Sequence, residues 1–178
     1  MNDWHVSASR EVFANPVLRL DLERIRTPAG DETDWTVVTI GDGAAVCPIH
    51  EDGSVTLIRQ YRHALGRTLW EFPAGRVEPD ESPLEAARRE LAEEAGLAAA
   101  EIIGRGLVVP LDGICRHVIH VFEARGLAER PAAHETFETI EVHRIERDRL
   151  RAMVRSGAID CGITLSIMAR LGVLEEGR

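Results

Sequence analysis

The chain lacks several things at once, and each gap removes a class of function. Its three cysteines, Cys47, Cys115 and Cys161, are odd in number and form no Cys-x-x-Cys pair. This argues against a disulfide framework or a zinc site and for reduced thiols packed as small hydrophobes. No apolar run approaches the roughly 18 residues that cross a bilayer. The first residues, "MNDWHVSASREVF", are acidic and polar where a secretory leader has a basic end and an apolar centre, so a cytoplasmic location and no membrane partner are expected. An excess of basic residues is missing too. The formal net charge is −9, which argues against a nucleic-acid partner but leaves room for an anionic substrate if a cation or local arginines offset the field. Repeats and low-complexity segments are absent.

What is present reads as an ordinary globular chain of 178 residues, 44% hydrophobic and 29% charged. Short strands dominate. Residues 17–25, "VLRLDLERI", alternate Leu18, Leu20 and Leu22 against Arg19, Asp21 and Glu23, which predicts a strand with the leucines inward. Further strands are expected at 35–40, 43–49, 54–62, 68–72, 106–109, 117–124 and 138–145, with "HEDG" as a hairpin connection between the strands at 43–49 and 54–62. Helices are fewer. Ser82 as N-cap, Pro83 in the first turn and Glu85 three residues after Ser82 form a capping box, and Gly96 supplies the stop. Two more helices are expected over 147–157 and 162–174. The pattern implies an α+β fold, helices packed on a mixed sheet.

The central helix holds the chemistry. Five glutamates fall between positions 81 and 94, and Leu84, Ala87, Leu91 and Ala95 make the stripe expected to face the core. Glu90 and Glu94 lie one turn apart at the border of that stripe, with Glu93 beside them. Like charges at this spacing repel by a few tenths of a kcal/mol. Neither Arg88 nor Arg89 follows these glutamates at i+4, so the cluster reads as uncompensated. Such a set of oxygen donors suits Mg²⁺ or Mn²⁺, hard cations that bind one or two carboxylates together with phosphate oxygens.

Residues 75–97, "GRVEPDESPLEAARRELAEEAGL", resemble the Nudix box, Gly-x5-Glu-x7-Arg-Glu-U-x-Glu-Glu-x-Gly-U, where U is a bulky aliphatic. Gly75, Glu81, Arg89, Glu90, Glu93, Glu94 and Gly96 fill every fixed position, and Leu91 and Leu97 fill both aliphatic ones. At ordinary residue usage such a match has a chance of about 10⁻⁸ per window, too small for composition to produce it. The resemblance implies an α/β/α sandwich carrying a strand-loop-helix-loop motif. It also implies metal ligation by Glu90, Glu93, Glu94 and the backbone carbonyl of Ala74, and a structural ion pair between Glu81 and Arg89.

The context "LIRQYRHALGRTLWEFPAGRVEPDE" resembles more narrowly the ADP-ribose and nucleoside-diphosphate-sugar pyrophosphatases of that family. That likeness implies Mg-dependent hydrolysis of a nucleotide sugar to a nucleoside monophosphate and a sugar phosphate. It also implies a homodimer in which an N-terminal β-element, residues 1–40, is exchanged between partners beside a hydrolase domain of residues 41–178. Arg62 becomes the candidate substrate-binding residue, since a guanidinium recognises phosphate oxygens bidentately. Trp70 and Phe72 read as packing residues. For the catalytic base, the resemblance points to a loop glutamate, Glu138 or Glu135, with Glu93 as the alternative on the helix. One departure stands out: Cys115 and Arg116 occupy a place where an acid is expected, which weighs against ADP-ribose as the preferred substrate. Two other readings are a house-cleaning hydrolase of dinucleotides or nucleoside triphosphates, and a module that binds a nucleotide sugar without cleaving it. The complete set of box glutamates weighs against the latter.

Overall fold

The computed structural model describes residues 3–132 and 139–175. Its backbone divides into two compact units, one of residues 1–42 with 109–118 and one of residues 43–108 with 119–178.

The first unit is a four-stranded sheet in the order β1 (His5–Ala14), β2 (Leu18–Arg26), β3 (Glu32–Ile40), β9 (Cys115–Arg116). β1–β2 and β2–β3 pair antiparallel, and β9 joins β3 in parallel. Every residue of β1 is exposed. In β2 the expected polarity is reversed. Asp21 and Glu23 are the buried residues, 5% and 6% exposed, while Leu18, Leu20 and Leu22 are only half-buried. The acids are tolerated because each meets a guanidinium: Arg19 bonds Asp21 at 2.8 Å, and Arg116 bonds both oxygens of Glu23 at 2.9 and 3.0 Å. Arg116, the residue that departs from the family pattern, thus has a structural partner.

The second unit is built around β4 (Gly43–Pro48), all six residues of which are buried. A strand hidden on both faces is apolar throughout, as "GAAVCP" nearly is. It sits inside the mixed sheet β7 (Ala74–Arg76), β4, β10 (Ile119–Glu129), β8 (Leu97–Val108), antiparallel to β7 and parallel to β10. Alternation along β4 divides the core. Ala44 and Val46 join Ala87, Leu91 and Phe122 in one cluster beneath α1 (Pro83–Ala95). Ala45 and Cys47 join Leu57, Leu150 and Ile167 in the other. That second cluster is completed by a three-stranded antiparallel sheet and two helices. The sheet is β11 (Ile140–Ile145), β5 (Val55–Arg62) and β6 (Arg67–Glu71); the helices are α2 (Arg147–Arg155) and α3 (Gly162–Leu171). Mixed sheets flanked by three helices are the α+β architecture expected.

Two connections differ from expectation. The "HEDG" turn closes, with His50 N–H donating to the Ser54 carbonyl at 2.9 Å, but only Ile49 and Val55 pair across it. β4 and β5 then part into different sheets. The expected strand at 106–109 is the end of a much longer β8, whose alanine-rich first half is held extended by pairing with β10 from Glu129↔Leu97 onward.

Candidate active site

α1 starts as its sequence requires. The Ser82 hydroxyl accepts from Glu85 N–H at 3.3 Å and Ser82 N–H donates to the Glu85 carboxylate at 2.8 Å. Gly96 ends the helix in the left-handed region, φ 62°. The buried stripe is shifted from the one expected. Leu84 is exposed, Ala86 is buried in its place, and Glu90 and Glu94 are themselves buried, 8% and 3% exposed. These carboxylates therefore lie within the helix–sheet seam and not merely at its rim.

Three interactions fix the acids there. Glu94 accepts a 2.8 Å hydrogen bond from Ala74 N–H, which ties α1 to the start of β7. Gly75 follows, and its lack of a side chain is required: a Cβ built there would stand 1.9 Å from Glu90 Oε1. Arg89 is the third element and corrects the reading of an uncompensated cluster. Its guanidinium bonds Glu81 through two nitrogens at 3.0 Å each, Glu90 at 2.6 Å, Glu93 at 3.1 Å and the Arg76 carbonyl at 2.9 Å. The Glu81–Arg89 ion pair is present as expected. It raises the Arg89 pKa further above its ordinary value, and the Arg89 hydrogen bonds hold Glu81 below the ordinary carboxylate value. Arg89 stands four residues before Glu93 rather than after it, and one of its terminal nitrogens reaches both Glu90 and Glu93.

Glu90, Glu93, Glu94 and Ala74 open on one cavity of about 230 Å³, with Arg62, Arg76 and Gln60 on its walls. Arg62 is also paired with Glu71 through two 2.8 Å contacts, so it is both a strand ion pair and a wall of the site. Arg59 lies elsewhere, bonding Glu141 at 3.3 Å with its guanidinium 5.9 Å from the Trp70 ring. Phe72 is buried in the core and Trp70 packs against it, both as packing residues. Arg76 was missed by the sequence reading. The only signal for it is its place directly after the box glycine, on a strand of three residues.

Among the described residues no three carboxylate, imidazole or thiolate side chains stand so as to hold a metal ion by themselves. The donor set nevertheless suits a divalent cation, as it consists wholly of oxygens. Counting the paired Glu71 and Glu81 with the lining Glu78, Glu90, Glu93 and Glu94, six carboxylates face the three guanidiniums of Arg62, Arg76 and Arg89. Among the described residues acid thus exceeds base by three in a partly buried seam, and a hard cation relieves that repulsion. Glu135 and Glu138 lie outside the described residues.

Comparison with known proteins agrees with this architecture. Residues 39–159 match the family model of the NUDIX domain. An ADP-ribose pyrophosphatase of Bacillus subtilis is 28% identical over 151 residues, covering 84% of this chain and 82% of the relative. Another, from Mycobacterium tuberculosis, is 33% identical over 139 residues, covering 75% and 66%. The crystal structure of an ADP compounds hydrolase superposes with a TM-score of 0.85 at 17% identity, over 95% of this chain and 92% of that one. The chain belongs to the NUDIX family. It is an enzyme, a hydrolase of a family whose members generally use divalent metal ions.

Proposed function

We propose that this hydrolase cleaves the pyrophosphate bond of a nucleoside diphosphate sugar of the ADP-ribose type, releasing a nucleoside monophosphate and a sugar phosphate. The observation that carries the reading is the single cavity joining Glu90, Glu93, Glu94 and the Ala74 backbone to Arg62 and Arg76. The names borne by the two pyrophosphatase relatives support the substrate class.

In this reading Glu90, Glu94, Glu93 and the Ala74 carbonyl hold Mg²⁺ or Mn²⁺. Bound there, the cation supplies positive charge against the pyrophosphate oxygens. Arg62 and Arg76 bind the same phosphates from the opposite wall and stabilise charge as it develops. Glu71 fixes the Arg62 fork, which reduces the entropy lost on binding. Water adds across the P–O–P bridge, its proton passing to a carboxylate base. Glu93 is the half-exposed acid within the cavity; Glu138 and then Glu135 are the alternatives proposed from the sequence.

Assembly belongs to the same reading. Trp4, Val6, Val12, Phe13, Val17 and Trp35 are all at least 45% exposed on the N-terminal sheet. Exposed large apolar side chains gathered on one small sheet mark an interaction surface. We place a second copy of the chain there, with the residue 1–40 element serving the dimer beside the hydrolase domain of residues 41–178.

The test is a panel of nucleotide sugars, dinucleotides and nucleoside triphosphates incubated with Mg²⁺ or Mn²⁺, with both products identified. Equal amounts of nucleoside monophosphate and sugar phosphate are expected. Turnover confined to triphosphates or dinucleotides, or tight binding of a nucleotide sugar without cleavage, overturns the reading.

A further inference from the structure

A second charged cavity opens on the sheet face turned away from α1. Along β10, Phe122 and Ala124 pack into the α1 cluster while Val121 packs into the other. Glu123 shares the side of Val121. It is 3% exposed, an acid almost wholly removed from water. Arg105 of β8 bonds it at 2.8 and 2.9 Å, and Arg125 closes on its other oxygen. One buried carboxylate therefore holds two arginines side by side.

Two further arginines complete the cavity, whose volume is about 400 Å³. Arg147, the first residue of α2, donates to the Gly53 carbonyl at 2.9 Å, and Arg170 of α3 donates to the Arg105 carbonyl at 3.2 Å. The backbone is recessed to admit them. Gly53 has φ 81° and Gly106 φ 92°, and a Cβ at either would come within 2.8 Å of Arg147 Nε or 2.7 Å of Arg170 Nη1. These four guanidiniums come from three strands or helices far apart in sequence, plus α2, so their convergence is a property of the fold. Of the C-terminal carbonyls of α3, which would repel an anion, those of Met168 and Ala169 are engaged by Gly172 N–H and Val173 N–H.

The charge balance points the same way. Asp52 is paired outside the cavity with Arg144 at 2.7 Å. Adding Arg144 to the four lining arginines gives five guanidiniums, against the four carboxylates of Glu51, Asp52, Glu123 and Glu175, the last lying 3.0 Å from where a Cβ of the lining Gly172 would stand. Among the described residues the cavity is therefore basic by one, in a chain whose net charge is −9. His50 adds none, since burial first and the charge of Arg144 second hold its pKa below the ordinary value. The chain also contains no lysine, so every one of its 21 basic residues is an arginine. None of the residues lining this cavity lines the active-site cavity.

We propose that this pocket is a second, non-catalytic binding site for a phosphate dianion, free or as a monoester. Such a group carries about −1.5 to −2 at neutral pH, and the four converging guanidinium forks are the side chains best shaped for its oxygens. The remaining volume, with Ile49, Leu171 and Val173 on its walls, has room for an organic substituent. The inference does not depend on the hydrolysis proposed above.

The test is calorimetric titration of the full chain, in EDTA, with inorganic phosphate, ribose 5-phosphate and AMP. Saturable binding of one equivalent is expected. Arg170→Gln and Arg147→Gln should each weaken it by about tenfold or more, while Arg62→Gln leaves it unchanged. Tighter binding of either ester than of phosphate identifies a monoester as the source, and equal binding identifies free phosphate. Should either pocket variant fail to fold, the unmodified chain serves: phosphate should protect Arg147 and Arg170 from an arginine-selective dicarbonyl, read by mass spectrometry. Absence of saturable binding, or binding lost in Arg62→Gln with protection confined to Arg62 and Arg76, overturns the proposal.

Discussion

The two charged cavities of the second unit are inversions of one another. At α1 one guanidinium, Arg89, is shared among Glu81, Glu90 and Glu93; on the far face one carboxylate, Glu123, is shared between Arg105 and Arg125. In both places the minority charge organises the majority, holding like charges closer than they would otherwise stand. Among the described residues the net balance has opposite sign, acid in excess in one cavity and base in excess in the other. The difference teaches that an ion pair seen at a site says little about its ligand until the net charge around it is counted.

The comparison breaks most readily at Glu94. Glu94→Gln keeps an oxygen to accept from Ala74 N–H but removes one charge from the acidic excess. Turnover should fall by about a thousandfold, some 4 kcal/mol of barrier, with the melting temperature unchanged or slightly raised. Near-normal kcat at saturating Mg²⁺ would remove Glu94 from the metal set.

The base comes next. Replacing the true base by glutamine should lower kcat by ~10²–10⁴ with little change in KM. We expect this of Glu138→Gln and a mild effect of Glu135→Gln. A large loss at Glu93→Gln alone, with metal affinity retained, would return the role to the helix.

Gly75→Ala sharpens the comparison from the backbone side. The added methyl must displace the Glu90 carboxylate, so the metal concentration giving half-maximal activity should rise by about 10–100-fold, as for loss of an orienting contact. An unchanged metal titration would show that the position of Glu90 is immaterial.

Assembly is tested by Phe13→Asp, which sets a charge on a strand exposed along its whole length. Sedimentation should shift from dimer toward monomer at micromolar concentration, and an unchanged profile would place the interface elsewhere. The smallest effect is expected at Asp52. Hydrogen bonds from Ser54, and then Arg144, lower its pKa from 3.8 to about 2. A depressed carboxylate stabilises the fold above its unfolded value and loses that contribution as pH falls through the folded one. Asp52→Asn should therefore melt slightly below the wild type at pH 7, and the gap should close between pH 3.8 and about 2. A gap independent of pH would assign it to packing.

Local signals carried much of this fold into the sequence. The capping box, the glycine stop and the unbroken apolar run of β4 each concern neighbours within a few residues, and each could be read directly. The polarity of β2 could not. Leucine against acid is the ordinary inward pattern, and it reversed because Arg116, 93 residues away, neutralises Glu23. β1, "HVSASREVFA", shows no period because neither face is buried. At the site, the glutamates were legible by their spacing. The role of Arg89 was not, since the loop from Glu81 folds back on the helix only in three dimensions. Arg76 and the Glu123 cavity likewise arise from strands brought together by the sheet.

The arginine cavity also has a bearing on how the molecule can be handled and altered. With no lysine anywhere in the chain, acylation of side-chain amines finds no target, and a lysine-directed protease finds no bond to cut. Guanidiniums stay protonated above pH 12, so mild alkali leaves them charged. The positive potential of that cavity is thus a fixed property of the polypeptide, beyond the reach of the common lysine modifications.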